Sequence, residues 1–230
     1  MELPTANIGI KARNPQILTL FGQSKIGKSF MLSQLKDCLI IDTEKGSRFI
    51  DGLIVQAESL ADLSGILKEL KTGKYPYRYI ALDTIDKIVE WCEVKVIQEY
   101  NAEQKAKGLK LSISDVGELA YGLGYSLVRT QVMKIIFAFK NLEIPLILIG
   151  HRRKSQIGED QVEVSASSLD ITGKLKNMIC AESDAIGYLF RDNGNVMVSF
   201  KTSDELEVGS RCAHLRGKVF EFDWTNIFID

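Results

Sequence analysis

Short apolar runs alternate with amphipathic stretches along most of the chain. The runs are bounded by polar or glycine residues, which is typical of buried strands. They cover residues 16–21, 38–42, 79–83 and 145–150. The stretches between them keep apolar residues three or four positions apart, which predicts helices. Strands that alternate with helices predict an α/β fold with a mostly parallel sheet and helices on both faces.

Helix boundaries are marked by local signals. Ser59 and Asp62 have the spacing of a capping box, so we expect a helix from there that stops before Gly73. A further helix is expected to begin at Phe30, directly after the first strand. The apolar positions within residues 85–100 and 121–139 each mark one face of a longer helix, and residues 53–55 predict a short strand.

The pattern changes after residue 150. Residues 185–190, 196–201 and 219–224 read as strands, and the turn between the first two contains Asn193-Gly194. Asn-Gly between two apolar runs is a strong hairpin signal. We therefore expect an antiparallel edge at the C-terminal end of the sheet.

The length suits one large domain over residues 1–230. Polar residues and glycine interrupt the pattern near 101–117 and 152–176, which predicts two mobile loops. Hydrophobic residues make up 45% of the chain and charged residues 26%, with a formal net charge of -1. This balance excludes a global basic footprint, so any surface for a polyanion has to be a local patch.

The cysteines and the hydropathy pattern exclude several classes of protein. The four cysteines are far apart, with no CxxC and no histidine at ligand spacing, so neither a zinc site nor a disulfide framework is expected. No run approaches the ~18 apolar residues of a membrane span, and no signal-peptide core precedes the first strand. We expect a cytoplasmic protein with reduced thiols and no membrane partner.

The most specific motif is a phosphate-binding loop that matches GxxxxGK[ST]. It lies between a predicted strand and a predicted helix, as this motif requires. Its glycines allow the backbone to wrap a phosphate chain, Lys28 can reach the β- and γ-phosphates, and the Ser29 hydroxyl can bind Mg²⁺. The predicted nucleotide contacts are Gly22, Gln23, Ser24, Lys25, Ile26, Gly27, Lys28, Ser29 and Phe30.

Asp83 closes a predicted buried strand and is the candidate for the second residue that organises Mg²⁺. The alternative is a helix cap, because a helix follows. Many NTPases place a glutamate directly after this aspartate to activate water. Here that position is Thr84, so a catalytic base has to come from elsewhere.

Three further segments resemble the RecA recombinase family. Residues 38–44 are similar to the strand whose terminal Asp-x-Glu carries the catalytic glutamate, and Asp83-Thr84 is similar to an Asp-Ser in that family. Residues 146–152 are similar to the strand that ends in a γ-phosphate sensor, with His151 where RecA has glutamine. The chain resembles most closely the phage RecA-like ATPases of the Sak-type single-strand annealing group. Two segments carry this resemblance, Asp-x-Glu-x-Gly at residues 42–46 and Gly-x-Arg at residues 209–211.

The resemblance covers roughly residues 16–222 and implies a RecA-like P-loop NTPase core. It implies that Glu44 is the general base and that His151 senses the γ-phosphate. For Glu44 the alternative is an exposed turn acid. For His151 it is a strand-end histidine bonded to neighbouring backbone. A histidine in this position would make sensing depend on pH.

Cations for transition-state charge and for DNA are also implied. In the RecA family the loop after the sensor strand binds single-stranded DNA, and here that loop carries Arg152, Arg153, Lys154, Lys174 and Lys176. Acidic residues lie among them and no aromatic residue does, so a solvated mixed-charge loop remains an alternative. A cationic finger from a neighbouring subunit is expected, with Arg211 the first candidate and Lys201 the second. Surface cations without a role remain the alternative.

These inferences lead to one hypothesis and several rivals. The chain is expected to be a Mg²⁺-dependent ATPase that acts on single-stranded DNA in phage recombination or annealing, in the host cytoplasm if phage-encoded. We expect a homo-oligomer with ATP at subunit interfaces, and a single-strand DNA-binding protein is a candidate partner. The rivals are an ATPase that loads or remodels a protein partner, and a nucleotide-binding subunit without turnover. A small-molecule kinase is disfavoured, because no arginine-rich lid for a second substrate is apparent.

Overall fold

The structure, a computed structural model, describes residues 3, 5, 9–157, 164–171, 173–203 and 206–229. Within these residues the strands are β1 Ile17–Gly22, β2 Cys38–Asp42, β3 Leu53–Gln56, β4 Tyr79–Asp83, β5 Leu146–Ile157, β6 Val164–Leu169, β7 Ala185–Asp192, β8 Asn195–Ser199, β9 Gly209–Ser210 and β10 Val219–Glu221. The α-helices are α1 Lys28–Ser33, α2 Leu60–Leu70, α3 Ile85–Ala106, α4 Leu123–Lys140, α5 Gly173–Glu182 and α6 Trp224–Ile227. Short 3₁₀ turns cover Gly46–Phe49, Val116–Glu118 and Ala120–Gly122.

The strand order is β10-β8-β7-β1-β5-β4-β2-β3, with β6 paired to β5 and β9 paired to β7. Strands β7, β1, β5, β4, β2 and β3 run parallel. Strand β8 pairs antiparallel with β7, and β10 pairs antiparallel with β8, which completes the C-terminal edge. The predicted α/β fold class, with a mostly parallel sheet and an antiparallel C-terminal edge, is therefore confirmed.

The sheet is apolar on both faces, because alternate side chains of its central strands enter two separate cores. In β1, Ile17 packs into one core with Ile136 of α4, while Leu18 packs into the other with Leu32 of α1 and Trp224 of α6. Burying a side chain of this size contributes about 1.5–3 kcal/mol. Helices thus cover both faces, as the alternating pattern predicts.

Parallel pairing brings the ends of four strands to one edge of the sheet. The register pairs Gly22 with His151 and Asp42 with Asp83. Ligands of open α/β sheets bind at the carboxyl ends of the strands. The segments singled out in the sequence therefore meet at this carboxyl edge.

The two predicted loops carry more regular structure than the sequence indicates. Helix α3 runs on to Ala106, and the Asn101 side chain accepts from the Ile113 N–H at 2.8 Å and donates to its carbonyl at 2.9 Å. The prediction of a loop over 152–176 is wrong for the described residues, because β5 and β6 pair there as an antiparallel ribbon and α5 follows. The ribbon is polar, so it lacks the apolar alternation that marks a core strand. Residues 158–163 and 172 of that segment lie outside the described residues.

The predicted C-terminal hairpin is confirmed, with Asn193 and Gly194 at φ 47° and 88° in its turn. The last predicted strand is shorter than expected. It ends at Glu221, and Asp223 then caps α6 by accepting from the Thr225 N–H at 2.8 Å. In the part of the chain that is described, no helix combines the length and apolar character of a membrane span.

Candidate nucleotide site

The phosphate-binding loop connects β1 to α1, and its two glycines are needed for different reasons. Gly27 caps α1 with φ 108°, a left-handed conformation that side chains disfavour, and apart from its chain neighbours no described atom lies within 4 Å of an added Cβ. The space in front of the α1 N-terminus is therefore open to a ligand. At Gly22 an added Cβ would lie 2.9 Å from the main-chain oxygen of Leu189 in β7. Close packing against β7 therefore requires a glycine at position 22, and its part in wrapping a phosphate chain stays a prediction.

Lys28 is almost fully buried, with 7% of its surface exposed. Its Nζ donates to the main-chain oxygens of Gly22 at 3.3 Å and Gln23 at 3.2 Å. Burial lowers the pKa of Lys28, while the nearby carboxylates, Asp83 first among them, raise it. The ammonium group thus lies against the inside of the loop, where an anionic ligand would satisfy its charge.

Ser29 and Asp83 form the pair that fits a magnesium ion. The Ser29 hydroxyl donates to Asp83 Oδ2 at 2.5 Å. Asp83 is 6% exposed, and burial raises its pKa to about 6. A hydroxyl and a carboxylate are the oxygen ligands that Mg²⁺ prefers. Thr84, not Asp83, is the N-cap residue of α3, so the geometry favours the metal role over the helix-cap alternative.

Asp42 shapes the turn that presents Glu44. It is 2% exposed, and its carboxylate accepts from the main-chain N–H groups of Glu44 at 2.9 Å and Ser47 at 3.0 Å. Burial raises the pKa of Asp42, but the hydrogen bonds from Ser47, Glu44 and Gly46 outweigh it and hold the pKa below its usual value. An ionised Asp42 therefore fixes this turn, which gives the Asp-x-Glu-x-Gly spacing a structural reason.

Glu44 projects from that turn toward the start of α3. Its Oε1 accepts a hydrogen bond from the Thr84 hydroxyl at 2.9 Å, and its side chain is 42% exposed. Thr84 in turn donates its main-chain N–H to Thr43 Oγ1 at 2.7 Å. Glu44 is therefore oriented by specific contacts, unlike an ordinary exposed turn acid. From the sequence, Thr84 stood out as part of a pair similar to Asp-Ser and as the absence of a glutamate, but its contact with Glu44 was missed.

His151 is held by Asp86 in the first turn of α3. Asp86 Oδ2 accepts from the His151 main-chain N–H at 3.0 Å and lies 3.2 Å from Nδ1 of the ring. The hydrogen bond to Asp86 raises the pKa of His151, while burial and Lys28 lower it. Nδ1 of His151 thus contacts a side-chain carboxylate, not the neighbouring backbone that the alternative interpretation predicts. Asp86 was missed from the sequence, where only its place three residues after Asp83, in the first turn of the helix that follows, would have marked it.

An acidic cleft of about 420 Å³ opens beside these groups. Its described lining includes Glu44, Asp86, His151, Arg152, Asp170 and the loop residue Ser24. The cleft thus adjoins the predicted base, the predicted sensor and the phosphate-binding loop. We call it the acidic cleft below.

Several predicted residues lie away from this edge. Arg211 Nη1 is 3.3 Å from Asp184 Oδ1, and Asp184 precedes β7 at the amino edge of the sheet. Lys201 follows β8, which runs back toward that same amino edge. Neither cation approaches the phosphate-binding loop of its own chain. A role as a finger from a neighbouring subunit stays a prediction for both.

The predicted DNA contacts are spread over different surroundings. Arg153 and Lys174 are exposed, whereas Lys176 Nζ pairs with Glu207 Oε2 at 2.7 Å. The backbone of Lys154 pairs with Ser167 in the β5–β6 ribbon. Arg152 lies beside the phosphate-binding loop, where it lines the acidic cleft. The four of these residues whose side chains are described, Arg152, Arg153, Lys174 and Lys176, therefore do not form one basic surface.

Comparison with known proteins identifies a family, and the similar chains include a curated protein and a solved structure. The profile described as an AAA domain matches residues 14–212, a range that includes every contributor to the site. The SPbeta prophage-derived uncharacterized protein YorG of Bacillus subtilis (strain 168) is 24% identical over 161 residues, which are 68% of this chain and 47% of that protein. The chain thus spans about half the length of this relative. The crystal structure of the RadB recombinase aligns with a TM-score of 0.47 and 12% identity, over 93% of this chain and 89% of that one.

Proposed function

The chain belongs to the AAA domain family, and from this premise we propose that it is a Mg²⁺-dependent ATPase acting on single-stranded DNA. In this proposal it is a RecA-like protein of phage recombination or annealing. It assembles as a homo-oligomer with ATP at subunit interfaces, and a finger such as Arg211 or Lys201 reaches the site of the neighbouring subunit.

One observation carries the ATPase proposal. A buried lysine, a serine–aspartate pair and an oriented glutamate converge on the carboxyl edge, at the start of α1. Lys28 and the loop N–H groups bind the phosphates. Ser29 and Asp83 hold Mg²⁺, which neutralises phosphate charge when it is bound.

Glu44 supplies the base in this scheme. Phosphoryl transfer needs an oriented water opposite the leaving group, with a group within hydrogen-bond reach to accept its proton. Thr84 holds one oxygen of Glu44, and the other carboxylate oxygen is left to orient that water. Many NTPases have the catalytic glutamate directly after the strand-end aspartate. In this chain that position is Thr84, and its hydroxyl positions Glu44 instead.

The DNA part of the proposal rests on different support. The resemblance to the Sak-type group, the prophage origin of a relative and the exposed Arg153 and Lys174 favour a phage protein with a nucleic-acid partner. Cations of this kind bind phosphodiesters with an affinity that falls steeply with salt.

The test is the rate of ATP hydrolysis with and without a single-stranded oligonucleotide, at about 50 mM salt. We expect Mg²⁺-dependent turnover that the oligonucleotide raises and that duplex DNA does not. Lys28→Ala should lose triphosphate affinity, and Lys68→Ala, an α2 surface change, is the matched control. Turnover without any DNA response would favour a protein partner, and ATP binding without turnover would favour a nucleotide-binding subunit. Retained ATP affinity in Lys28→Ala would refute the site itself.

A further inference from the structure

A second cleft, of about 430 Å³, lies on the other side of the phosphate-binding loop, against β7. The loop residues 23–26 form one wall, and Arg152, Tyr188, Phe190 and Arg191 contribute to the other. With Lys25 this makes three cations, and no carboxylate occurs among its described lining residues. We call it the cationic cleft. Its composition suits an anion, and it adjoins the loop that is built to bind one.

Arg152 is placed at the junction of the two clefts. The last residue of β1, Gly22, pairs with His151 of β5. Arg152 is the next residue of β5, so it lies level with the first residue of the loop. Arg152 and Ser24 both line the acidic cleft and the cationic cleft. The guanidinium group therefore stands next to the first residues of the loop.

The side chain is oriented before any ligand arrives. Its Cζ lies 5.3 Å from the centroid of the Tyr188 ring, in cation–π geometry. Tyr188 is fixed in turn by Phe21 at 5.4 Å and Phe190 at 5.7 Å between ring centroids. Arg152 Nε is buried and has no hydrogen-bond partner among the described residues. A guanidinium group that is already oriented is well suited to bind a phosphate oxygen through its planar fork of donors.

The charges of the acidic cleft give such a cation a role. The described lining carries five carboxylates, those of Glu44, Asp86, Glu90, Glu93 and Asp170, and it adjoins the phosphate-binding loop. A γ-phosphate entering there meets carboxylates, and charge on it grows during transfer. Lys28 inside the loop and Arg152 at its rim are two cations that border this point.

We propose that Arg152 contacts the terminal phosphate of the nucleotide bound to its own chain and stabilises the transition state of hydrolysis. This inference rests on the proposed ATPase function and moves Arg152 from the DNA surface to the nucleotide site. It supplies from within the chain a positive charge that the sequence analysis expected only from a neighbouring subunit. Because ADP lacks the terminal phosphate, Arg152 should also let the site distinguish ATP from ADP.

Binding of ATP and ADP to Arg152→Ala, with Mg²⁺ present, gives the first test. We expect ATP affinity to fall roughly 10- to 100-fold while ADP affinity stays within about twofold. The rate constant kcat should fall by about three orders of magnitude, as when a catalytic arginine is removed. Arg152→Lys, which keeps the charge but not the planar fork, should recover part of the ATP affinity.

Arg78→Ala is the matched control. Arg78 also lies over a tyrosine ring, 5.8 Å from the Tyr79 centroid, but it precedes β4 at the amino edge of the sheet. The Arg78→Ala variant therefore loses the same kind of cation–π contact, at a place away from the nucleotide site. We expect its ATP and ADP affinities and its kcat to match the wild type.

A subunit-mixing experiment separates action within the chain from action between chains. In a mixture of the two variants, Arg152→Ala subunits have an intact phosphate-binding loop and Lys28→Ala subunits have an intact Arg152. If Arg152 acted on the site of a neighbouring subunit, the mixture would recover turnover. We expect no restoration. Restored turnover, or an Arg152→Ala variant that keeps wild-type kcat and ATP preference, would overturn the proposal. Wild-type protein without ATP affinity would instead refute the ATPase function on which the proposal rests.

Discussion

Replacing Asp83 by asparagine should stabilise the protein when no metal or nucleotide is present. The substitution removes a buried charge and leaves the shape of the side chain nearly unchanged. Burial raises the pKa of Asp83 from 3.8 to about 6, against the opposing effects of the Ser29 hydrogen bond and of Lys28. Because a tenfold difference in proton affinity is worth about 1.4 kcal/mol, the ionised carboxylate costs the fold about 3 kcal/mol.

The pH dependence has a defined sign. The pKa of Asp83 is higher in the folded state than its unfolded value of 3.8. The protonated carboxyl therefore makes its full contribution to stability below pH 3.8. That stability is lost as the pH rises through about 6. We expect Asp83→Asn to exceed the wild type by about 2–3 kcal/mol in free energy of unfolding at about pH 8. The difference should shrink in acid and vanish below about pH 4.

Guanidinium unfolding in EDTA, at a series of pH values, measures this difference. Asp42→Asn is the matched control, because Asp42 is equally buried and pairs with Asp83 in the sheet, yet its pKa lies below the usual value. The same chemical change at position 42 should therefore destabilise the protein at about pH 8. An Asp83→Asn variant that is less stable than the wild type at that pH would contradict the reasoning. Saturating Mg²⁺-ATP should reverse the order, by stabilising the wild type and not Asp83→Asn.

Two further predictions concern the neighbouring strand ends. Asp86→Asn should lower the pKa of His151 in an NMR titration, because the carboxylate that raises it is removed; an unchanged His151 would mean that Asp86 does not hold the ring. Gly22→Ala should destabilise the fold by roughly 1–3 kcal/mol in thermal or denaturant unfolding, because its Cβ would meet the main chain of Leu189 at 2.9 Å. Wild-type stability in Gly22→Ala would show that β7 yields at that contact.

The sequence predicted the parallel core because its strands carry apolar side chains on both faces. It also placed Lys28 and Asp83 correctly at one edge, since a loop motif and a strand-end acid have fixed places in a parallel sheet. The function of the residues named in this way is still a prediction.

The partners of these residues could not be predicted from the chain. Asp86 lies on another element from His151, and Thr84 and Glu44 follow two different strands, so sequence spacing gives no sign of either contact. Arg152 and Arg153 look alike in the sequence, but the alternation of a strand separates them. Polar strands such as the β5–β6 ribbon have no core to mark them, which is why a loop was expected there.

The central claim is that Glu44 activates water for attack on a triphosphate held by the loop at the carboxyl edge. Single-turnover release of phosphate from pre-bound Mg²⁺-ATP tests it most directly, with Glu44→Gln compared to the wild type. Glu58→Gln is the control. Glu58 is an exposed acid whose carboxylate lies 2.9 Å from Nζ of Lys45, the residue after Glu44. We expect Glu44→Gln to keep ATP affinity and to slow release by about 100-fold or more, with Glu58→Gln unchanged. Release at the wild-type rate from Glu44→Gln would contradict the claim.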